Sequence, residues 1–200
     1  MIKTLIFDLG GVLFSNGTGA AVKLISEGYS IDEDKVSSVL RGELGNSYRR
    51  GELNFDEFWE KAKSAWNCDA DPDELARIWD GCFVINDSVS DIIGRLNREG
   101  YELLYLSNNR VGTVSFLEGR YDFLRMFKDG VFSFDVGFIK PDPRIYRALL
   151  EKTSSRPEEC VFIDDKAENL KPAEKLGMRT IHFGEDTDIT DELNRLGVGL

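Results

Sequence analysis

The chain has 200 residues, 42% of them hydrophobic and 30% charged, and carries a net charge of −11. That length makes one domain, or one domain with a modest insertion, and 13 Phe with 3 Trp supply a sizeable core. The charge speaks against a nucleic-acid backbone or an anionic membrane surface as the main partner, but leaves room for a small anion at a locally positive site.

The N-terminal "MIKTLIFDLGGVLF" has one lysine and a short apolar run broken by Asp8, a pattern that fits no signal peptide. Residues 3–8, "KTLIFD", read as a near-continuous apolar strand of the kind buried on both faces of a parallel sheet. Residues 15–86 differ: they hold no convincing strand, while "DEDKVSSVLRGEL" and "NFDEFWEKAKSAW" predict helices. Apolar stripes with Trp59, Trp66 and Trp79 make this stretch a small helical subdomain inserted after the first strand. "SVSDIIGRLNREG" (88–100) places Val89, Ile92, Ile93 and Leu96 on one stripe and ends at a capping Gly100. Strand texture returns in "YELLYLS" (101–107), "GVFSF" (130–134), "CVFID" (160–164) and "MRTIHF" (178–183). Between them, "DPRIYRALLEKT" (142–153) starts a helix near Pro143, and "KAENLKPAEKLG" (166–177) ends one at Gly177, with Pro172 expected to kink or break it. Strand–helix alternation of this kind predicts an α/β class with a parallel sheet.

No apolar run is long enough to span a bilayer. Cys68, Cys82 and Cys160 lie far apart, which suggests free thiols in a reducing cytoplasm and neither a disulfide framework nor a CxxC knuckle. The single histidine, His182, excludes a His-rich metal centre and reads as a strand-end residue.

In an open parallel sheet, ligands bind outside the carboxyl ends of the strands, and there the notable polar residues gather. Asp8 ends the first strand, "SNN" (107–109) the second; "KPDP" (140–143) follows the third, and "DD" (164–165) ends the fourth. Each alone has an ordinary explanation as a turn or helix-capping residue. Together, three carboxylates in one crevice would repel each other without a cation, and oxygen-only ligands favour Mg²⁺ over zinc. Pro141 disfavours helix at Lys140, consistent with a fixed loop that aims the lysine. Arg49, Arg50 and Arg110 could reach a substrate but read better as ordinary surface arginines, and Asn169 either bonds the loop after Asp164 or sits exposed on its helix.

"FDLGGV", "LSNN", "KPDP" and "FIDDKAEN", in that order, resemble the four motifs of the haloacid dehalogenase superfamily, which is composed mostly of phosphatases. The resemblance covers the whole chain. It is closest to the subgroup with bacterial sugar-phosphate phosphatases and the phosphatase domain of soluble epoxide hydrolase, whose flavour "RRGELNFDEFW" and "KPAEKLGM" share. It implies a Rossmann-like α/β core from residues 1–14 and 87–200, and an all-helical cap from residues 15–86. It also implies a Mg²⁺-dependent phosphatase of a small phosphorylated metabolite, cytoplasmic, and a monomer or homodimer. Asp8 would be the nucleophile, forming an aspartyl-phosphate that water hydrolyses. Mg²⁺ would be held by Asp8, the Gly10 carbonyl and Asp165, with Asp164 direct or through water. Ser107, Asn108, Lys140 and the backbone at Gly10 and Gly11 would hold the phosphate, Lys140 neutralising its charge.

The chain departs from the family at Gly10, where most of these phosphatases carry a second aspartate that protonates the leaving oxygen. The metal contact survives, since it uses a carbonyl; the proton donor does not, a loss of typically ~10²–10⁴-fold. Two alternatives therefore stand beside the phosphatase: a retired member that binds a phosphorylated ligand or a partner, and a metal-free haloacid dehalogenase, against which the "IDD" acids argue.

Overall fold

The computed structural model describes residues 1–199. In chain order the elements are β1 (Thr4–Phe7), α1 (Gly17–Tyr29), α2 (Glu33–Leu40), α3 (Glu43–Arg49), α4 (Phe55–Trp66), α5 (Pro72–Gly81) and α6 (Asp87–Arg98). There follow β2 (Glu102–Ser107), α7 (Val111–Tyr121), β3 (Asp129–Phe132), α8 (Ser133–Val136), α9 (Pro143–Leu150), β4 (Cys160–Asp164), α10 (Ala167–Lys175), β5 (Arg179–His182) and α11 (Ile189–Arg195). The strands form one parallel sheet in the order β3-β2-β1-β4-β5, the Rossmann-like α/β arrangement. Strand order reverses between β1 and β4, so the crevice of the sheet opens beside the end of β1.

Both faces of the sheet are buried, which explains the continuous apolar runs. Leu5 and Phe7 of β1 point into one cluster with Val89, Ile93 and Leu96 of α6. Ile6 points into the other, with Ile145, Tyr146 and Leu149 of α9. Helices α1 to α5, inserted after β1, enclose a separate cap core in which Trp59 and Trp79 are fully buried and Trp66 nearly so. The two chain segments that join cap and sheet run side by side: Ser15 donates to the Val84 carbonyl (2.8 Å) and Asn86 to the Leu13 carbonyl (2.7 Å).

Three predicted elements differ, and the first is the strand expected over residues 130–134, which ends at Phe132 where α8 begins. The helix expected over residues 32–44 is two, α2 and α3, with the break at Arg41–Gly42. Gly42 is extended there and packs so close to the Ser38 carbonyl that any side chain would strike it, so only glycine allows this turn. Helix α10 runs unbroken through Pro172. The carbonyl deprived of its donor, four residues back, is that of Glu168, which is exposed, so water can satisfy it. His182 does end β5, and among the described residues no helix is long and apolar enough to cross a membrane.

Candidate active site

Asp8 follows β1 and is fixed by its own backbone, since its N–H donates to the Ile163 carbonyl of β4 (2.9 Å). β4 in turn ends on Asp164, so the two acids come from paired strands. One carboxylate oxygen each of Asp8, Asp164 and Asp165 lie within 4.8 Å of one another. Lys140, almost fully buried, inserts its ammonium among them: Nζ is 2.9 Å from Asp8 Oδ1, 2.7 Å from Asp164 Oδ2 and 2.8 Å from the Leu106 carbonyl. All three ammonium donors are thus engaged, so Lys140 has charge and no free N–H to offer a ligand.

The three acids play different parts. Asp164 accepts from Lys140, from the Lys166 N–H (2.9 Å) and from Asn169 Nδ2 (2.8 Å). Asn169 is buried, which settles its two readings in favour of the loop contact. Asp165 Oδ1, by contrast, is a buried oxygen with no hydrogen-bond partner among the described residues. On Asp8, the bonds from Lys140 and from the Leu9 N–H (2.6 Å) both fall on Oδ1. The Asp8 carboxyl is raised to about 7, chiefly by burial; Lys140 opposes the rise, and Asp164 and then Asp165 add to it. Asp165 is raised likewise by burial and by Asp164. Burial lowers Lys140, but Asp8 and Asp164 outweigh it and leave the ammonium raised. An orphaned carboxylate oxygen and two acids held above their normal range are what a divalent cation would relieve. The all-oxygen donor set fits Mg²⁺, which Asp8, Asp165, the Gly10 carbonyl and Asp164 would hold.

The glycine pair divides its work. Gly11 has φ +94°, and a Cβ there would sit 2.9 Å from Asp165 Oδ1 and closer still to Cγ and Oδ2. Its N–H goes to the Phe14 carbonyl (2.7 Å), so it makes room for Asp165 and offers the phosphate no donor of its own. Gly10 has an ordinary φ, and its Cβ would meet only Phe83 Cε1, at 3.8 Å.

The expected phosphate loop is partly occupied. Ser107 is buried at the end of β2, and its hydroxyl makes no hydrogen bond among the described residues. Of the amides that follow it, Asn109 N–H donates to Ser133 Oγ (3.0 Å) and Arg110 N–H to Asn109 Oδ1 (2.9 Å). The Asn108 side chain clamps the Lys140 backbone, accepting from its N–H (2.8 Å) and donating to its carbonyl (3.0 Å). Its main effect is therefore to position Lys140. The spacing of Asn108 and Lys140 in the chain gives no sign of this clamp.

The arginines overturn the surface expectation. Arg110 is buried: Nη2 is 2.9 Å from Asp80 Oδ1 of α5, which also accepts from Thr113 Oγ1 of α7 (2.7 Å). Its guanidinium carbon stacks 3.3 Å from the Trp79 ring centroid. Arg50 is half-buried between Glu43 and Glu52. Arg49 lines the cleft over Asp8. The partners of Arg50 are local, but Trp79 and Asp80 are distant in the chain from Arg49 and Arg110, which is why sequence reasoning missed those two.

A cluster of acids and a buried lysine at the strand ends of this fold fits a hydrolase. The model of the haloacid dehalogenase-like hydrolase family matches residues 2–177, and the chain belongs to that family. Among its relatives is the D-ribitol-5-phosphate phosphatase of Bacteroides thetaiotaomicron, 26% identical over 96% of this chain and 97% of that one. The mouse bifunctional epoxide hydrolase 2 is 26% identical over 98% of this chain but only 39% of its own length. The chain spans less than two fifths of that relative, as of the drimenol cyclase of Aspergillus calidoustus, of which it covers 37%. A haloacid dehalogenase-family enzyme from B. thetaiotaomicron, solved with magnesium and inorganic phosphate, superposes with a TM-score of 0.79 at 26% identity, over 96% of this chain and 99% of that one.

Proposed function

We propose that this hydrolase is a Mg²⁺-dependent phosphatase of a small phosphorylated metabolite, working in the cytoplasm through a phosphorylated Asp8. The observation that carries the reading is the convergence of Asp8, Asp164, Asp165 and Lys140 at adjacent strand ends, with Asp165 Oδ1 left unpartnered. The relative that acts on ribitol 5-phosphate and the neighbour solved with magnesium and phosphate support it. Mg²⁺, when bound, supplies charge that draws the phosphate to Asp8 and offsets the repulsion among the acids.

The residues of the chain do the rest. Lys140 and the Leu9 N–H hold Asp8 Oδ1, leaving Oδ2 to attack phosphorus while the phosphorus–oxygen bond to the leaving group breaks. The Ser107 hydroxyl and the Gly10 and Asn108 N–H groups, none engaged among the described residues, are left as donors for phosphate oxygens. Water then cleaves the acyl phosphate and restores Asp8. Apart from Asp8, no carboxylate and no histidine lines the cleft, so the leaving oxygen departs without a protein acid. Substrates whose leaving oxygen is weakly basic, such as anomeric sugar, acyl and aryl phosphates, are therefore favoured. The same lack of an acid supports the second reading, a binding protein derived from a phosphatase.

A phosphorylated-metabolite panel with and without Mg²⁺, with Asp8→Asn as blank, tests this. Turnover that needs both Mg²⁺ and Asp8 is expected. If aryl, acyl and sugar phosphates all survive unchanged, the enzyme reading falls and the binding protein remains.

A further inference from the structure

Arg49, the last residue of α3, lines the cleft above Asp8, and Arg41 stands at its exposed edge. No carboxylate pairs with Arg49 among the described residues. Its protein hydrogen bond runs from Nη1 to the Leu40 carbonyl (3.0 Å), and its guanidinium carbon lies 5.6 Å from the Trp79 ring centroid. A guanidinium carries five N–H donors, so most of them are left facing the cleft. The neighbouring cations do not resemble it. Arg110 is committed to Asp80, and Arg50 to Glu43 and Glu52. Burial, with Arg110 adding to it, pushes the Arg49 guanidinium down to about 9. Holding a desolvated guanidinium beside another cation is unfavourable unless an anion joins it.

The backbone of Arg49 is held as firmly as its side chain is free. Its carbonyl accepts from Ser133 Oγ (2.5 Å), and the same oxygen receives the Asn109 N–H (3.0 Å). A cap residue is thereby tied to the loop that follows Ser107. The carboxylates of Asp8, Asp164 and Asp165 would already offset Lys140 and a divalent cation in the acidic cluster, whereas the Arg49 charge is neutralised by no protein carboxylate among the described residues. In a chain of net charge −11, the cleft of about 310 Å³ is lined by five cationic side chains, those of Arg41, Arg49, Arg110, Lys140 and Lys166. That volume suits a small molecule.

We infer that the ligand of this cleft carries, besides the phosphate at Asp8, a second anionic group, a carboxylate or a further phosphate, which Arg49 receives with Arg41 beside it. The inference rests on the phosphate-binding reading of the Asp8 site and deepens it by naming the substrate class.

The test is calorimetric, on the full chain carrying Asp8→Asn with Mg²⁺ present. Two matched pairs are compared: 3-phosphoglycerate with glycerol 3-phosphate, and fructose 1,6-bisphosphate with fructose 6-phosphate. A charge-assisted pair at the cleft should make the more anionic member of at least one pair bind roughly tenfold tighter or more. The pair that responds tells carboxylate from phosphate. Adding Arg49→Gln should bring that ratio to about one, and Arg49→Lys should keep part of it. Equal affinity within both pairs, including no binding by any of the four, overturns the inference. So does a ratio that survives Arg49→Gln, or an equal loss for both members, which would assign Arg49 to the shared phosphate. The ratio in the Asp8→Asn background requires no change at Arg49, so the inference is decided even if Arg49→Gln fails to fold. Wild-type turnover of an aryl phosphate is read separately. A preference without turnover overturns the phosphatase, and turnover without a preference overturns the second anion site.

Discussion

Gly11→Ala is expected to disable the acidic cluster while Gly10→Ala leaves it intact, although the two glycines are neighbours. At Gly11 the new methyl would lie 2.9 Å from Asp165 Oδ1 and nearer its Cγ, at φ +94°. A non-glycine residue forced to positive φ costs about 1–3 kcal/mol, and the overlap about 1–3 kcal/mol more. Since the Asp165 carboxylate is a movable side chain, part of the overlap relaxes by displacing it, so a loss of about 3 kcal/mol is expected. For a chain of this size that lowers Tm by roughly 6–12 °C. The displaced carboxylate is the one with the orphaned oxygen, so Mg²⁺ affinity should fall at least about tenfold. At Gly10 the nearest atom is 3.8 Å away and φ is ordinary, so Gly10→Ala should stay within about 1 kcal/mol of the parent. Thermal melts by circular dichroism and Mg²⁺ titration calorimetry on both variants decide it. If Gly11→Ala melts and binds Mg²⁺ as Gly10→Ala does, the room Gly11 makes for Asp165 is not what its place in the chain provides.

Gly10→Asp should raise turnover of alkyl phosphates by at least about tenfold, because the position has space and the cleft lacks an acid; an unchanged rate would show that leaving-group protonation is not limiting. Asp80→Leu strands the buried Arg110 guanidinium and should cost about 3 kcal/mol, whereas adding Arg110→Met should recover much of it. Additive losses in chemical denaturation would refute that coupling. Asp8 has a pKa raised from 3.8 to about 7, so the metal-free fold binds its proton more tightly than the unfolded chain does. Its contribution to stability is therefore greatest below the unfolded value and is lost as pH rises towards about 7. Mg²⁺ needs the ionised form, so its affinity should weaken by up to about tenfold per unit as pH falls below about 7. A flat Mg²⁺ affinity between about pH 5.5 and about 7.5 would contradict it.

The sheet was legible because each strand is buried on both faces and so spells a short apolar run ending in a polar residue, as in "LIFD" and "VFID". Strand ends are also where the chemistry lies, so Asp8, Ser107 and Asp164 could be read from the same runs. What could not be read depends on partners distant in the chain. The break between α2 and α3 falls where Gly42, extended and without a side chain, lets the chain pass close to the Ser38 carbonyl, a local approach that periodicity does not register. Arg110 looks like any arginine until α5 brings Asp80 and Trp79 to it across the cap boundary. The Asn108 side chain reaches Lys140 across 32 residues, and so reads as a phosphate ligand when seen only beside Ser107.

These distant contacts also determine how the cap meets the sheet. Asp80 joins α5 to Arg110 and to Thr113 of α7, and Ser133 joins the Arg49 carbonyl to Asn109. Both ties end on the segment that follows Ser107, so the cap is anchored on the same loop that would grip the phosphate. A cap pinned at two points of one loop cannot shift its Arg49 guanidinium without also moving that loop. The spacing between the two ends of the ligand is thereby set by these ties, whereas its chemistry is set by the side chains that line the cleft. Removing the Ser133 hydroxyl should therefore loosen discrimination by ligand length before it alters discrimination by charge. Ser133→Ala in the Asp8→Asn background, titrated with anionic phosphates of increasing chain length, separates the two effects. A length profile identical to that of the parent would show that the cap holds its register without this tie.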